Sequence, residues 1–575
     1  MAQTRIATMV LIALLTVLSF GTSAYGSEQS VQEATGSAGG LVAIDWVLIG
    51  LYGVATLALG WYYSRRQETT SEYFIGSGHM NPLLIGVSLF ATLLSTISYL
   101  SMPGETLGKG PVFLATLLAY PFVYLLVGFW LLPVYMRHRV TSAYELLEAK
   151  LGLSVRLLGA VMFIALRLVW MSLLMYLTAK ALVVMIDNDA VIQGRDQQLI
   201  PLVAVVTGIV TIIYTSMGGL RAVVVTDFMQ AMLLYGGALV VLGLITWDFG
   251  GFGWFPLAWQ PHWDQQPLIS FDPKVRVSLI GSGLSLLIWH VCTAGGDQTS
   301  VQRFMATTDA RAARRALAIQ LSCSVIVGLT LGLVGFALLG YFQAHPDRLP
   351  AGMRLSADAD NIFPMFIAYH LPPGISGLVV AGMFAAAMSS LDSGVNSITA
   401  VVMTDFFDRF GFKPKSETGH VRASQILAFS IGLFVVVGSS FMGAIPGNIT
   451  AMTQKTSNLL TTPIFCLFVF ALFIPFARPL GVWLGAITGT LTAAAIAFSG
   501  PLVVWLSHYG FDPALVGTEV VHTVHETTGV VTETAQDPIS FQWIALAAII
   551  VNLGVGTAVS LLLPRRSPAS GTSST

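Results

Sequence analysis

Charge is scarce in this chain. Only 10% of its 575 residues are Asp, Glu, Lys or Arg, against about a quarter in a soluble globular protein, while 55% are hydrophobic and the mean hydropathy is +0.75. Cysteine is scarcer still: Cys292, Cys323 and Cys466 lie in apolar segments without paired spacing, which excludes a disulfide framework and a zinc site. A net charge of −1, with no basic tract and no basic-aromatic alternation, gives no footing for nucleic acid. No polar segment exceeds about 35 residues, too short for a soluble domain, so an attached kinase is excluded and no obligate protein partner is evident. What remains is a polytopic membrane protein whose surroundings are the lipid bilayer: a channel, a membrane enzyme or a transporter.

Residues 1–26 carry Arg5, an apolar run through Leu18 and small residues at Ala24 and Gly26, the pattern of a cleaved signal peptide. An uncleaved first helix leaves the remaining topology unchanged. After a polar lead over 27–43, stretches long enough to span recur at 44–64, 82–103, 111–136, 155–186, 199–217, 222–247, 276–296, 316–343, 374–402, 424–442, 450–475, 480–506 and 539–563. With Ser27 outside, the inside loops hold Arg65, Arg66, Arg137, Arg303, Arg409, Arg565 and others, roughly threefold more Lys and Arg than the outside loops. The chain is therefore expected to be a multi-pass cell-membrane protein. Its mature N-terminus is placed outside, and its C-terminal tail, 564–575, in the cytoplasm. His522, His525 and Glu526 in the acidic loop near 507–538 read as solvated loop polarity rather than a metal site.

Three membrane-buried polar segments carry the chemistry. Met388 to Ser393 places Asp392 and three hydroxyls inside an apolar helix, where polar groups are costly unless they pair or line a cavity. Ser389, Asp392 and Ser393 share one helical face, and such a set of oxygens suits a hard cation; small residues used only for helix packing are the alternative. Ser88 to Ser101, followed by Pro103 and Gly104, is hydroxyl-rich enough to predict an interrupted helix, and such breaks expose main-chain carbonyls to cations and helix N-termini to anionic solutes. Gly218 to Gln230 reads as a two-glycine turn leading into a helix with Asp227. That carboxylate either binds a cation or pairs with Arg221 at the interface.

The run from Gly218 to Gln230 resembles the signature of the sodium:solute symporter family, which includes sodium-coupled sugar, iodide, vitamin, monocarboxylate, proline and sialic acid transporters. Ser71 to Gly78, Ser142 to Leu147, Asp297 to Arg303 (Asp where the family pattern has Asn) and Gly481 to Gly489 resemble further family segments, in the right order over residues 44 to 500. The resemblance implies an all-α, LeuT-like fold: two inverted five-helix repeats at 82–247 and 276–475, with about three peripheral helices, one at 44–64 and two within 480–563. It implies that Gly295-Gly296 breaks the helix opening the second repeat. It also implies a sodium site from Ala91, Leu94, Ala386, Ser389 and Ser390, and an optional second cation site from Asp227, Ser389, Asp392 and Ser393, where Asp392 replaces a common hydroxyl.

Sugar-carrying members differ at positions matching Ile97, Ser98, His290 and Thr293, so a hexose is not expected. Ser95, Ser98, Tyr99, His290 and Thr293, with Arg167 or Lys180, instead suit a small polar or anionic solute. The expected activity is sodium-coupled import of that small-molecule solute by alternating access, with sodium as the coupling ion. A sodium-dependent sensor or a channel on the same scaffold is the alternative. No nucleophile-base set lies at membrane depth, so enzymatic chemistry is not expected.

Overall fold

A computed structural model describes residues 41–64, 80–138, 142–186, 196–350, 352–412, 416–445, 449–524 and 531–563. The signal-peptide segment 1–26, most of the lead, Ser71 to Gly78, His525, Glu526 and the tail 564–575 lie outside the described residues. Among the described residues, ten helices are long and apolar enough to cross a membrane, and an eleventh span is a bent pair.

That bent pair is the interrupted helix. Helix α1, Ala43–Ser64, precedes α2, Pro82–Leu93, and α3, Thr96–Lys109, which meet at 63°. The break falls at Leu94 and Ser95, earlier than the Pro103-Gly104 pair that seemed to weaken this stretch in the sequence. Pro103 lies inside α3, and Gly104 serves a contact instead: a Cβ there would come within 2.6 Å of an Asp360 carboxylate oxygen. Hydroxyls make the break tolerable by taking main-chain partners across the fold. Thr96 Oγ1 donates to Met383 O at 2.9 Å, and Ser390 Oγ donates to Thr92 O at 3.0 Å.

The span Pro111–Arg137 (α4) and the short helix α5, Glu145–Leu151, lead into α6, Leu153–Ile186. Helical hydrogen bonding then runs unbroken through α7, Asp196–Asp248, so Gly218-Gly219 is not the turn that the sequence suggested. Glycine costs about 1 kcal/mol in a helix, which weakens it without forbidding it. At about 1.5 Å per residue this helix is far longer than one bilayer crossing, and it contains two separate apolar stretches, Leu199–Ile213 and Val223–Asp248.

A second break follows. Helix α8, Leu279–Gly296, ends where Asp297, in an extended conformation, accepts the Thr299 N–H and caps α9, Gln298–Met305. Gly295 and Gly296 matter here because Phe465 lies against both, within 2.5 Å of a Cβ at Gly295 and 3.0 Å of one at Gly296. Their carbonyls, freed by the break, accept from the hydroxyls of Tyr135 and Tyr144.

The remaining helices are α10, Ala310–Ala344, α11, Ala359–Tyr369, α12, Ile375–Val401, continuing as a wider turn to Asp408, α13, Glu417–Ser439, α14, Ile449–Phe473, α15, Pro479–Ala497, α16, Ser499–Ser507, and α17, Ile544–Leu562. Helix α12 is almost wholly buried and packs on α2, α7, α6 and α13. A β-hairpin, β1 Val520–Val524 antiparallel to β2 Val531–Ala535, precedes α17. Glu533 on β2 faces both His508 and His522, at 3.1 and 3.3 Å, and no group of three metal-ligating side chains occurs among the described residues. The chain just beyond β2 is tied to α14 by an ion pair between Asp537 and buried Lys455 at 2.5 Å.

Asp360, at the start of α11, accepts the first main-chain N–H of α14 from Ile449 at 2.9 Å. Burial pushes its carboxyl up to about 6, while that bond and the charges of Lys180 and Lys109 pull it down and Glu105 raises it. Because the folded value exceeds the unfolded one, the native state binds the proton more firmly, and stability falls as pH rises towards 6. Asp360→Asn keeps an acceptor for Ile449. It should raise stability at pH 8 by at most about 3 kcal/mol, and by about half as much at pH 5. Thermal unfolding in detergent at both pH values checks this, and an equal change at each would contradict it.

Candidate functional site

The two helix breaks and the centre of α12 come together. Leu94 closes α2 outside helical geometry, at φ −85° and ψ 89°, and its N–H returns to Phe90 O at 2.7 Å. A helix end leaves its last carbonyls without N–H partners from the next turn, and here α12 faces that end: Ser390 Oγ reaches Thr92 O, and Ser393 Oγ lies 2.9 Å from Thr92 Oγ1. Ala91 and Ala386 are both buried. The face carrying Ala386, Ser389 and Ser390 can approach closely because small side chains leave main-chain atoms accessible.

Next to this lies a charged group that the sequence left incomplete. Asp227 and Arg303 are both fully buried and pair at 3.2 Å. Ser389 donates to Asp227 Oδ1 at 2.5 Å and Ser88 to Oδ2 at 2.5 Å. The Arg303 guanidinium donates to Ser88 Oγ at 2.8 Å, to Thr299 O at 3.2 Å and to Ser393 Oγ. Thus Asp227 has a buried arginine from α9 as its partner; the Arg221 side chain lies outside the described residues. Asp392 points elsewhere on α12, accepting from the Thr215 hydroxyl on α7. The four residues of the expected second cation set therefore divide: Asp227, Ser389 and Ser393 share one network with Arg303, and Asp392 bonds to α7.

A cavity of about 140 Å³ lies beside the first break. Leu94, Ser98 and His290 line it with Trp170 from α6, Trp289 from α8, and Gln454 and Ser457 from α14. His290 packs against Tyr120, tilted by 55°, and edge-on against Trp289, at 4.9 and 4.8 Å between ring centres. Among the described residues, no Asp, Glu, Lys or Arg lines this chamber. A smaller recess continues from it past Trp170, Trp289 and Ser457 to Thr92, Thr293, Arg167 and Asp297.

Arg167 and Asp297 form an ion pair at the recess, both largely buried. Ser95 Oγ and Thr293 Oγ1 are buried without a hydrogen-bond partner, which costs about 1–3 kcal/mol each unless a ligand or water supplies one. Tyr99 is turned away, packed at 5.1 Å on Phe363 of α11 and close to Gly237 of α7. Lys180 is absent from both linings. Sequence reasoning missed Trp170, Trp289, Gln454 and Ser457. The polar run Thr450 to Thr462 inside an apolar stretch was the available signal for the last two.

A family model described as the sodium:solute symporter family matches residues 73–489. The sodium/sialic acid symporter SiaT of Proteus mirabilis is 28% identical over 473 residues, covering 80% of this chain and 90% of that protein. The sodium-dependent multivitamin transporter of Oryctolagus cuniculus is 29% identical over 467 residues, covering 78% and 69%. A solved structure of a substrate-bound, outward-open Na+-coupled sialic acid symporter matches with a TM-score of 0.71 at 24% identity, over 91% of this chain and 98% of that one, which shows the shared fold. The broken helix pair and the match over most of the length converge on transport rather than enzymatic chemistry, sensing or channel flux. The chain belongs to the sodium:solute symporter family: it is a multi-pass, LeuT-like, sodium-coupled symporter of a small solute.

Proposed function

We propose that the coupling sodium ion binds between the end of α2 and the middle of α12, with main-chain carbonyls of Ala91, Leu94 and Ala386 and the hydroxyls of Ser389 and Ser390 as its ligands. The observation that carries this is the break at Leu94 and Ser95, which ends α2 against α12, where Ser390 Oγ reaches Thr92 O. The site is neutral and all oxygen, which suits a monovalent hard cation. Sodium there would hold α2 against α12 and fix the cavity wall formed by Leu94 and Ser98. Binding of each ligand then favours the other, and this reciprocal linkage is the coupling.

The solute binds in the adjoining cavity, and the reading extends to an organic acid bearing hydroxyl or amide groups. Ser98, Gln454 and Ser457 offer directed hydrogen bonds, Thr293 adds an unused hydroxyl in the recess, and Arg167 there provides a cation. Relatives named as sodium/sialic acid symporters and sodium-coupled monocarboxylate transporters carry acids, which supports that class for this chain. Import follows from an orientation with the hairpin outside and the arginine-rich loops in the cytoplasm, supported by the Lys and Arg distribution.

The Asp227 network gives the second cation position a different meaning. Arg303 already supplies the positive charge that Asp227 needs, so this cluster ties α2, α7, α9 and α12 whether or not a second ion joins it.

Three outcomes test these assignments. Ser390→Ala should weaken sodium activation of uptake by about tenfold, or about 1.4 kcal/mol, in a protein that still folds; an unaltered sodium dependence would remove Ser390 from the site. Asp227→Asn leaves a buried guanidinium without its counter-charge and should cost about 3–5 kcal/mol of stability, whereas Arg221→Gln should cost little; similar losses in the two would point back to an interfacial pair. In proteoliposomes an inward sodium gradient should drive uptake of labelled sialic acid or a hydroxyl-bearing monocarboxylate but not of glucose, and sodium-driven glucose uptake would overturn the substrate class.

A further inference from the structure

The recess where Arg167 meets Asp297 holds an ion pair whose acidic member is part of the second helix break. Asp297 uses its two oxygens for different purposes. Oδ1 accepts the Thr299 N–H at 2.8 Å and caps α9, while Oδ2 engages Arg167. The cap alone does not call for a charge, because Asn caps a helix about as well as Asp. The charge serves Arg167, whose Nε has no partner of its own. Both residues open on the recess continuous with the solute cavity, beside the unused hydroxyl of Thr293.

We propose that Asp297 is a specificity-determining residue that acts as a built-in carboxylate on Arg167, so that the site rejects simple anions and accepts acids whose neighbouring hydroxyl or ammonium groups can engage Asp297 once it is displaced. The proposal rests on the reading that this cavity and recess hold the solute. Its physical basis is competition. A tethered carboxylate reaches Arg167 at an effective concentration far above that of a free solute. A bare carboxylate that takes its place leaves Asp297 charged, buried and held only by its cap, which is costly. A solute with donors adjacent to its acid group relieves that cost by binding both partners at once, and discrimination of this kind comes from the penalty imposed on the wrong ligand.

The experiment measures sodium-dependent binding to the purified, full-length transporter, read by the fluorescence of cavity tryptophans, with propionate as the bare anion and propionamide as its uncharged counterpart. Wild-type protein should bind propionate no better than propionamide. Asp297→Asn, which retains the cap, should tighten propionate at least tenfold and leave propionamide unchanged, and the double variant with Arg167→Gln should abolish that gain. Asp297→Ser, another capping residue, carries the same comparison if the asparagine variant does not fold. An unchanged propionate to propionamide ratio in Asp297→Asn, with Arg167→Gln still impairing uptake of the acid identified with proteoliposomes, would overturn the role of Asp297 alone. A gain that survives Arg167→Gln, or acid uptake indifferent to Arg167→Gln, would overturn the recess as the acid subsite and the proposal with it.

Discussion

A carboxylate and a guanidinium at zero exposure, inside helices made mostly of apolar residues, form the constraint on which this molecule depends. Neither Asp227 nor Arg303 could be placed there alone, since an unpaired buried charge costs several kcal/mol. Pairing them fixes α7 against α9, and the hydroxyls that complete their hydrogen bonds belong to α2 and α12. Four helices are thereby held in register by one set of polar groups. Those same helices carry the two breaks and the serines facing them, so the charge network and the transport site are parts of one arrangement.

The breaks follow from a second requirement. Main-chain groups in a bilayer must find partners within the protein, and each interruption is therefore surrounded by donors and caps. At the first, the Ser390 hydroxyl of α12 does this for Thr92 O. At the second, two tyrosine hydroxyls and the Asp297 cap do so, while Gly295 and Gly296 admit Phe465 against the open main chain. The proposed solute cavity lies beside the first break and a neighbouring recess reaches the second. A site so placed can respond to both halves of the fold, which is what coupling between two ligands requires.

The extent to which this was legible in the sequence depended on the kind of signal. Long apolar stretches located the spans, because hydrophobic length is a local property, and the hydroxyl-rich run from Ser88 to Ser101 announced an interrupted helix. Its position was less readable: Pro103 and Gly104 drew attention, yet Pro103 is accommodated within α3 and Gly104 makes room for α11. Gly218-Gly219 likewise suggested a turn where helical bonding continues. Partnerships between distant residues were beyond local pattern. Asp227 finds Arg303 across 76 positions, and Arg167 finds Asp297 across 130. Tyr99 shares a helix with Ser95 and Ser98 but its ring packs on α11, a short helix that the hydropathy pattern does not reveal.

We place the coupling ion in an all-oxygen site at the first helix break, which shares Ser389 with the charged network beside it. A structure determined with thallium as an electron-dense stand-in for sodium tests it most directly. The account predicts ion density between Ala91, Leu94, Ala386, Ser389 and Ser390; density confined to the surroundings of Asp227 and Asp392, with none at the break, would contradict it.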